Sequence, residues 1–232
     1  MQTNESPNNV VQLTESMKTG FSRRKFLGIV GASSILLATA ASCKKHPHDD
    51  DDSVDLGSGD PGILNYAYAL EQLEAAFYIQ VVTSPYAGMT MSEMSYLSDV
   101  RNHEVAHREF FKAALGSAAI RGLTPNFSTI NFADRTSVLG TAKAFEDLGV
   151  TAYNGAGKLL VNVDYLTLAG KIVSVEARHA ATIRDMINPG TFADSTALDM
   201  NALDGARTPN EVLAIAGMYI KEKINASHLP TS

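Results

Sequence analysis

The sequence predicts an all-α fold, a four-helix bundle with one long crossover and a short fifth helix at the C-terminus. Three observations predict it. Beyond residue 62, segments rich in alanine, leucine and valine carry apolar residues at helical spacing. Proline and glycine gather between those segments rather than within them. The connections are short, long and short in turn, and the long one (Arg121 to Thr136) is more than an up-down bundle needs.

The bulk composition suits one globular domain with appendages: 232 residues, 45% hydrophobic and 19% charged, without tryptophan. A net charge of −6 offers no basic footprint, so no nucleic-acid partner is expected.

Residues 1–42 read as a signal peptide and fall outside the fold. Arg23, Arg24 and Lys25 precede the apolar run Phe26 to Ala41, whose 16 residues are too few for a membrane span. Ser22-Arg23-Arg24-Lys25-Phe26-Leu27 resembles a twin-arginine export signal, which carries proteins already folded and often loaded with a cofactor. An ordinary signal with two adjacent arginines is the alternative. Ala40-Ala41-Ser42-Cys43 resembles a lipoprotein cleavage site, making Cys43 the lipid-bearing residue and the membrane a partner. Cleavage after Ala38-Thr39-Ala40 is the rival. Cys43 is the only cysteine, so no internal disulfide is available to the domain. Residues 43–61, with Asp49 to Asp52 in a row, read as an acidic flexible tether. His46 and His48 beside those aspartates read as solvated rather than metal-binding.

The bundle itself is assigned to residues 62–188, with residues 189–232 as loop and C-terminal helix. Helix one is expected over about Ile63 to Val82, with Asp60-Pro61 as its cap and first residue. Helix two is expected from about Ser92 to Ala118, helix three from Ser137 to Val161 and helix four from Tyr165 to Ile187, before Asn188-Pro189-Gly190. Thr208-Pro209-Asn210-Glu211 has the form of a capping box and opens helix five, to about Ile224.

Each of the four long helices carries glutamate on its apolar face. Positions on a helix advance by about 100° per residue. In helix one, Glu71 and Glu74 fall among Leu64, Ala67, Leu70, Phe77 and Tyr78. Glu104 shares a face with Leu97, Val100 and Phe111, Glu146 with Leu139, Ala142 and Tyr153, and Glu176 with Ile172 and Ile183. A buried carboxylate is costly unless paired, hydrogen-bonded or metal-bound. The nearby cations Lys112, Lys171, Arg178 and Arg184 project to other faces, whereas His107 and His179 lie beside the acids.

The pattern also repeats. Helices one and three each carry a glutamate seven residues before a tyrosine, Glu71 with Tyr78 and Glu146 with Tyr153. Helices two and four each carry Glu-x-x-His, Glu104 with His107 and Glu176 with His179. A step of three residues puts both groups on one face, where they can share a metal. One glutamate from each of two helices and Glu-x-x-His from each of two others is a dimetal-carboxylate pattern. Glu74 is the rival to Glu71 as ligand. His103, at the edge of the face, reads as structural or solvated, and Met89, Met91 and Met94 read as helix-start packing rather than a copper site.

These residues, within Leu70-Glu71-Gln72-Leu73-Glu74-Ala75-Ala76-Phe77-Tyr78, Phe145-Glu146-Asp147-Leu148-Gly149-Val150-Thr151-Ala152-Tyr153 and Val175-Glu176-Ala177-Arg178-His179, resemble the ferritin-like superfamily, and more narrowly its exported or desiccation-related branch. The resemblance implies a ferritin-like four-helix bundle holding two Fe or Mn ions. It implies that Glu104 and Glu176 bridge them, that Glu71 with His107 and Glu146 with His179 complete the terminal positions, and that Tyr78 and Tyr153 hydrogen-bond to ligands. Oxidase, peroxidase or metal-oxidising activity on a small oxidant or a metal ion is the expected chemistry. A non-enzymatic metal-binding or stress-protective protein is the alternative, and a bundle with coincidental inward acids the remaining one. Substrate, metal identity and oligomeric state are not legible in the sequence.

Overall fold

The computed structural model describes residues 52–231. The signal-peptide assignment, with Arg23, Arg24 and Cys43, and the tether as far as Asp51 lie outside the described residues. In chain order the elements are β1 (Val54–Asp55), α1 (Gly59–Thr83), α2 (Met91–Leu115), α3 (Arg135–Gly157), α4 (Val163–Ile187), α5 (Pro209–Ala216) and β2 (Ile224–Asn225). Single 3-10 turns extend α2 over Gly116–Ala118 and α5 over Gly217–Tyr219. The prediction of four long helices, one long crossover and a short fifth helix therefore describes the molecule. No described helix is long and apolar enough to cross a membrane.

The helices pair as α1 with α2 and α3 with α4, and α1 meets α3 between the pairs. This arrangement makes α1 and α3 inner helices and α2 and α4 outer ones. Burial follows: α1 buries residues on several sides, with the run Asn65 to Glu71 buried without a break, while α4 buries a single stripe through Ile172, Glu176, His179, Ala180 and Ile183. The crossover is anchored by aromatic contacts, since Phe127 and Phe132 pack on Phe77 at centroid distances of 6.0 and 5.8 Å, and Phe145 meets Phe77 at 5.2 Å. Such contacts add to the area buried when rings meet edge to face.

Capping explains where the helices start, and the starts of α1 and α2 differ from expectation. α2 begins at Met91 rather than at about Ser92, Thr90 caps it in a capping box with Glu93, and Glu93 also binds Arg135 Nε at 2.7 Å, joining the starts of α2 and α3. Asp134 and Asn162 cap α3 and α4 through their side chains, and Thr208 with Glu211 caps α5 as the capping box requires. Asp60 is not the cap of α1. The helix begins at Gly59, and the Asp60 carboxylate instead accepts the backbone N–H groups of Val161 and Asn162, both at 2.8 Å. It thereby ties the α3–α4 turn to the start of α1.

Two more segments depart from the sequence reading. Residues 52–61 belong to the fold rather than to a free tether. Strand β1 pairs in parallel with β2, and Leu56 is fully buried. Val54 and Leu56 supply the apolar area that a solvated linker lacks. Arg184 points away from the acids as expected, yet it is only 3% exposed. Its guanidinium grips Asp147 through two nitrogens at 2.8 and 2.7 Å, and reaches Thr196 and Asp194 in the segment that follows α4. A two-pronged carboxylate pair with its remaining donors satisfied is how an arginine is buried at tolerable cost. This one fastens residues 194–196 over the α3–α4 pair.

Candidate metal centre

The four glutamates at 71, 104, 146 and 176 are all fully buried, one from each long helix. Their carboxylates and the two histidines converge between the helix pairs. His107 Nδ1 lies 3.0 Å from Glu176 Oε1, 3.4 Å from Glu71 Oε2 and 3.6 Å from Glu104 Oε2. His179 Nδ1 lies 3.0 Å from Glu104 Oε1, 3.3 Å from Glu146 Oε2 and 3.7 Å from Glu176 Oε2. The outer-helix glutamates thus divide their oxygens, one facing each imidazole. Two four-residue groups result, each with its ligand atoms within 4.8 Å of one another: Glu71, Glu104, His107 and Glu176, and Glu104, Glu146, Glu176 and His179. Either group can hold a metal ion, and Glu104 and Glu176 belong to both.

The tyrosines work across the bundle. Tyr78 of α1 donates its hydroxyl to Oε1 of Glu146 on α3, and Tyr153 of α3 donates to Oε1 of Glu71 on α1. Each bond holds one carboxylate oxygen away from the centre and leaves Oε2 turned towards a histidine. Burial and then the neighbouring carboxylate charges (Glu146 for Tyr78, Glu71 for Tyr153) push both phenols well above their usual range, so they remain donors.

The residues fit a metal by their unmet demands. Among the described residues, eleven buried side-chain nitrogen and oxygen atoms have no hydrogen-bond partner, and eight of them belong to these six residues. They are Glu71 Oε2, Glu146 Oε2, both oxygens of Glu104 and of Glu176, and the Nδ1 atoms of His107 and His179. Native proteins satisfy buried polar atoms, so atoms gathered at one point without partners mark a place where a cation belongs. Mixed carboxylate and imidazole donors suit iron or manganese.

Electrostatics describe the same cluster holding protons instead. Burial works against a charged His107, but the carboxylates of Glu104, Glu176 and Glu71 outweigh it and hold the ring protonated up to about 12. Glu104, Glu146 and Glu176 raise His179 in the same way. Burial would lift Glu176, yet the two imidazolium rings draw it down to about 2. Burial lifts Glu146 to about 7 against the pull of His179, and burial with the charge of Glu176 lifts Glu104 well above the carboxylate range. Protons on both rings and on part of the acid set supply the charge that a metal otherwise brings.

Glu74 stands apart. It is buried, but it joins neither group. Its Oε1 lies 3.3 Å from where a Cβ on Gly149 would be, and Glu176 Oε2 lies 3.7 Å from the same point. In the internal repeat Glu74 corresponds to Gly149, as Glu71 does to Glu146. A glutamate on one inner helix occupies space that a glycine on the other leaves open. Burial, then the charges of Glu176 and Glu104, hold its carboxyl well above the usual range.

His103 has a place that its position on the helix did not disclose. Its Nδ1 lies 2.9 Å from His179 Nε2, on the side of that ring facing away from the carboxylates. The contact is absent from the other half, and the signal missed was tertiary, a bond between α2 and α4. Met89 packs against the core and Met91 is exposed.

Residues 59–189 match the ferritin-like domain model, which covers more than half of the chain, and no curated protein matches it. An all-α bundle, two ligand groups sharing two glutamates and this match agree, and the chain belongs to the ferritin-like domain family.

Proposed function

We propose that the protein binds a dinuclear iron or manganese centre and uses it for redox chemistry on a small oxidant or an oxidisable metal ion. The observation that carries this reading is the sharing of Glu104 and Glu176 between the two ligand groups. Glu104 and Glu176 would hold both ions, and such a pair would supply two-electron chemistry towards dioxygen or peroxide. Glu71 with His107 and Glu146 with His179 serve as terminal ligands. Tyr78 and Tyr153 orient the two terminal carboxylates, and Leu97, Val100 and Ile183 keep water from the surrounding core. Complete burial of the four glutamates restricts the reactants to small species. The His107 side chain, 14% exposed against 4% for His179, marks the more open approach.

That same burial, with the sequence's resemblance to the desiccation-related branch, supports a second reading, a metal-binding or stress-protective protein without turnover. We place the protein outside the cytoplasm, periplasmic or on the outer membrane, held by a lipid on Cys43. The support is Arg23-Arg24, the 16-residue apolar run and the cysteine just beyond it.

One experiment separates the readings. The full chain is purified in detergent, its bound metal is measured, and peroxide, or ferrous iron with oxygen, is added. Two ions per chain with turnover lost in Glu104→Ala support the redox reading. Two ions without turnover support the second reading, and no metal overturns both. Mass spectrometry of Cys43 tests the anchor, and an unmodified thiol overturns it.

A further inference from the structure

The two ligand groups are built alike but are not equally supported. His179 is the more enclosed imidazole, and its far side is occupied. His103 Nδ1 sits 2.9 Å from His179 Nε2, and the two ring planes differ by 8° with centroids 5.2 Å apart. That separation is what two rings joined edge to edge by such a bond require, so the pair lies in a common plane. The bond crosses from α2 to α4. Tyr96, two turns before His103, crosses the same gap, and its hydroxyl reaches the backbone carbonyl of His179 at 3.3 Å. His179 is therefore held at its ring and at its backbone by one outer helix.

The hydrogen-bond direction decides what His179 can do. A neutral imidazole carries one proton. If that proton sits on Nδ1, the atom facing Glu104, Glu146 and Glu176 cannot bind a metal. If it sits on Nε2, Nδ1 is free and Nε2–H needs an acceptor. His103 Nδ1, 2.9 Å away, is placed to be that acceptor. The α4 counterpart of His103 in the internal repeat is Val175, which offers no such atom.

We propose that His103 is a positioning residue: by accepting the Nε2–H of His179 it fixes the tautomer and ring plane in which Nδ1 takes a metal ion, and so makes the Glu104–Glu146–Glu176–His179 position the tighter of the two. This rests on the dinuclear reading above. Partners that orient a ligating histidine are worth about 10–100-fold in metal affinity.

The test is a titration of the metal-free full chain with Co2+, followed by the visible absorption of the bound ion, in the wild type, His103→Val and His103→Gln. The wild type should bind two ions in two resolved steps. His103→Val, which copies the residue at the equivalent place in α4, should weaken the tighter step by about 10–100-fold and leave the other in place, so that the two steps merge. His103→Gln, whose amide oxygen can accept the same proton, should restore most of the loss. His103 is exposed, so neither variant removes core. Two ions with unchanged steps in His103→Val overturn the positioning role alone. A loss in His103→Val that His103→Gln does not reduce also overturns it. No binding by the wild type overturns the dinuclear reading and this inference with it.

Discussion

Inner and outer helices carry the same acid to the same point for different purposes. On α1 and α3, Glu71 and Glu146 each face a single histidine and are held from behind by a tyrosine. On α2 and α4, Glu104 and Glu176 each face both histidines and have no hydrogen-bond donor of their own among the described residues. The helices that are packed on several sides supply rigid, pre-oriented ligands. Those packed on one side supply the shared ones. If Glu104 and Glu176 hold two ions between them, as proposed, both oxygens of each would be committed to metal rather than to a supporting donor.

This contrast can be broken most strongly at the shared residues. Glu104→Ala or Glu176→Ala should abolish binding of both ions, whereas Glu71→Ala or Glu146→Ala should leave one ion per chain, as metal analysis after gel filtration would show. Equal losses from all four would mean that the inner and outer acids are not distinct.

The next effect is on pH. In the metal-free centre both imidazoles carry protons at neutral pH, and an ion must displace them. Affinity for Mn2+ should therefore rise with pH by about tenfold per unit for each proton released, readable from proton release in calorimetry. Folding stability of the metal-free protein should run the other way. The His107 contribution is complete below the unfolded imidazole value and is lost as pH rises towards about 12. Glu146, raised to about 7, adds a cost that grows between the unfolded carboxylate value and 7. The contribution of Glu176 is complete above the unfolded carboxylate value and is lost as pH falls from there towards about 2. Thermal melts should thus show a metal-free protein that loses stability from pH 5 to 8, and a Mn2+-loaded one that gains it over the same window.

Removing a supporting donor should cost less than removing a ligand. Tyr78→Phe frees Glu146, on the opposite helix pair, and should weaken one ion by about 10–100-fold. Tyr153→Phe should do the same to the other ion through Glu71. The combined variant should weaken both, and a Co2+ titration distinguishes these outcomes.

The last effects concern stability alone. A Cβ on Gly155 of inner helix α3 would stand 1.7 Å from the backbone oxygen of Arg207, while one on Gly170 of outer helix α4 meets nothing. Gly155→Ala should lower stability by about 3 kcal/mol or lift residues 205–208 from the helix. Gly170→Ala should raise it by about 1 kcal/mol. Urea melts of the metal-free protein measure both.

Much of this was legible in the sequence because it is written in helical periods. A step of three residues puts Glu104 beside His107, and a step of seven puts Glu71 on one face with Tyr78, whatever the tertiary structure. The periods also placed Glu74 on that face but could not tell it from Glu71, because the difference is the space left by Gly149 on another helix. Nor could they show that Tyr78 serves Glu146 rather than its own helix. Asp60 has the form of a helix cap, yet it holds Val161 and Asn162, 101 and 102 residues away. His103 meets His179 across 76 residues, and Arg184 is buried by a segment that reads as loop. Each depends on a neighbour brought by folding, where spacing along one helix is silent.

The crossed tyrosines have a consequence for how the two halves relate. Tyr78 bonds Glu146 while its counterpart Tyr153 bonds Glu71, so each half gives the other what it receives. That is the contact rule of an isologous dimer, in which residue i of one subunit meets j of the next and j meets i. The described residues form two helical hairpins that exchange equivalent contacts through Tyr78 and Tyr153, with residues 116–134 as the covalent link between them. Neither hairpin alone contains an oriented terminal ligand. The centre is a property of the pairing and would dissolve with it.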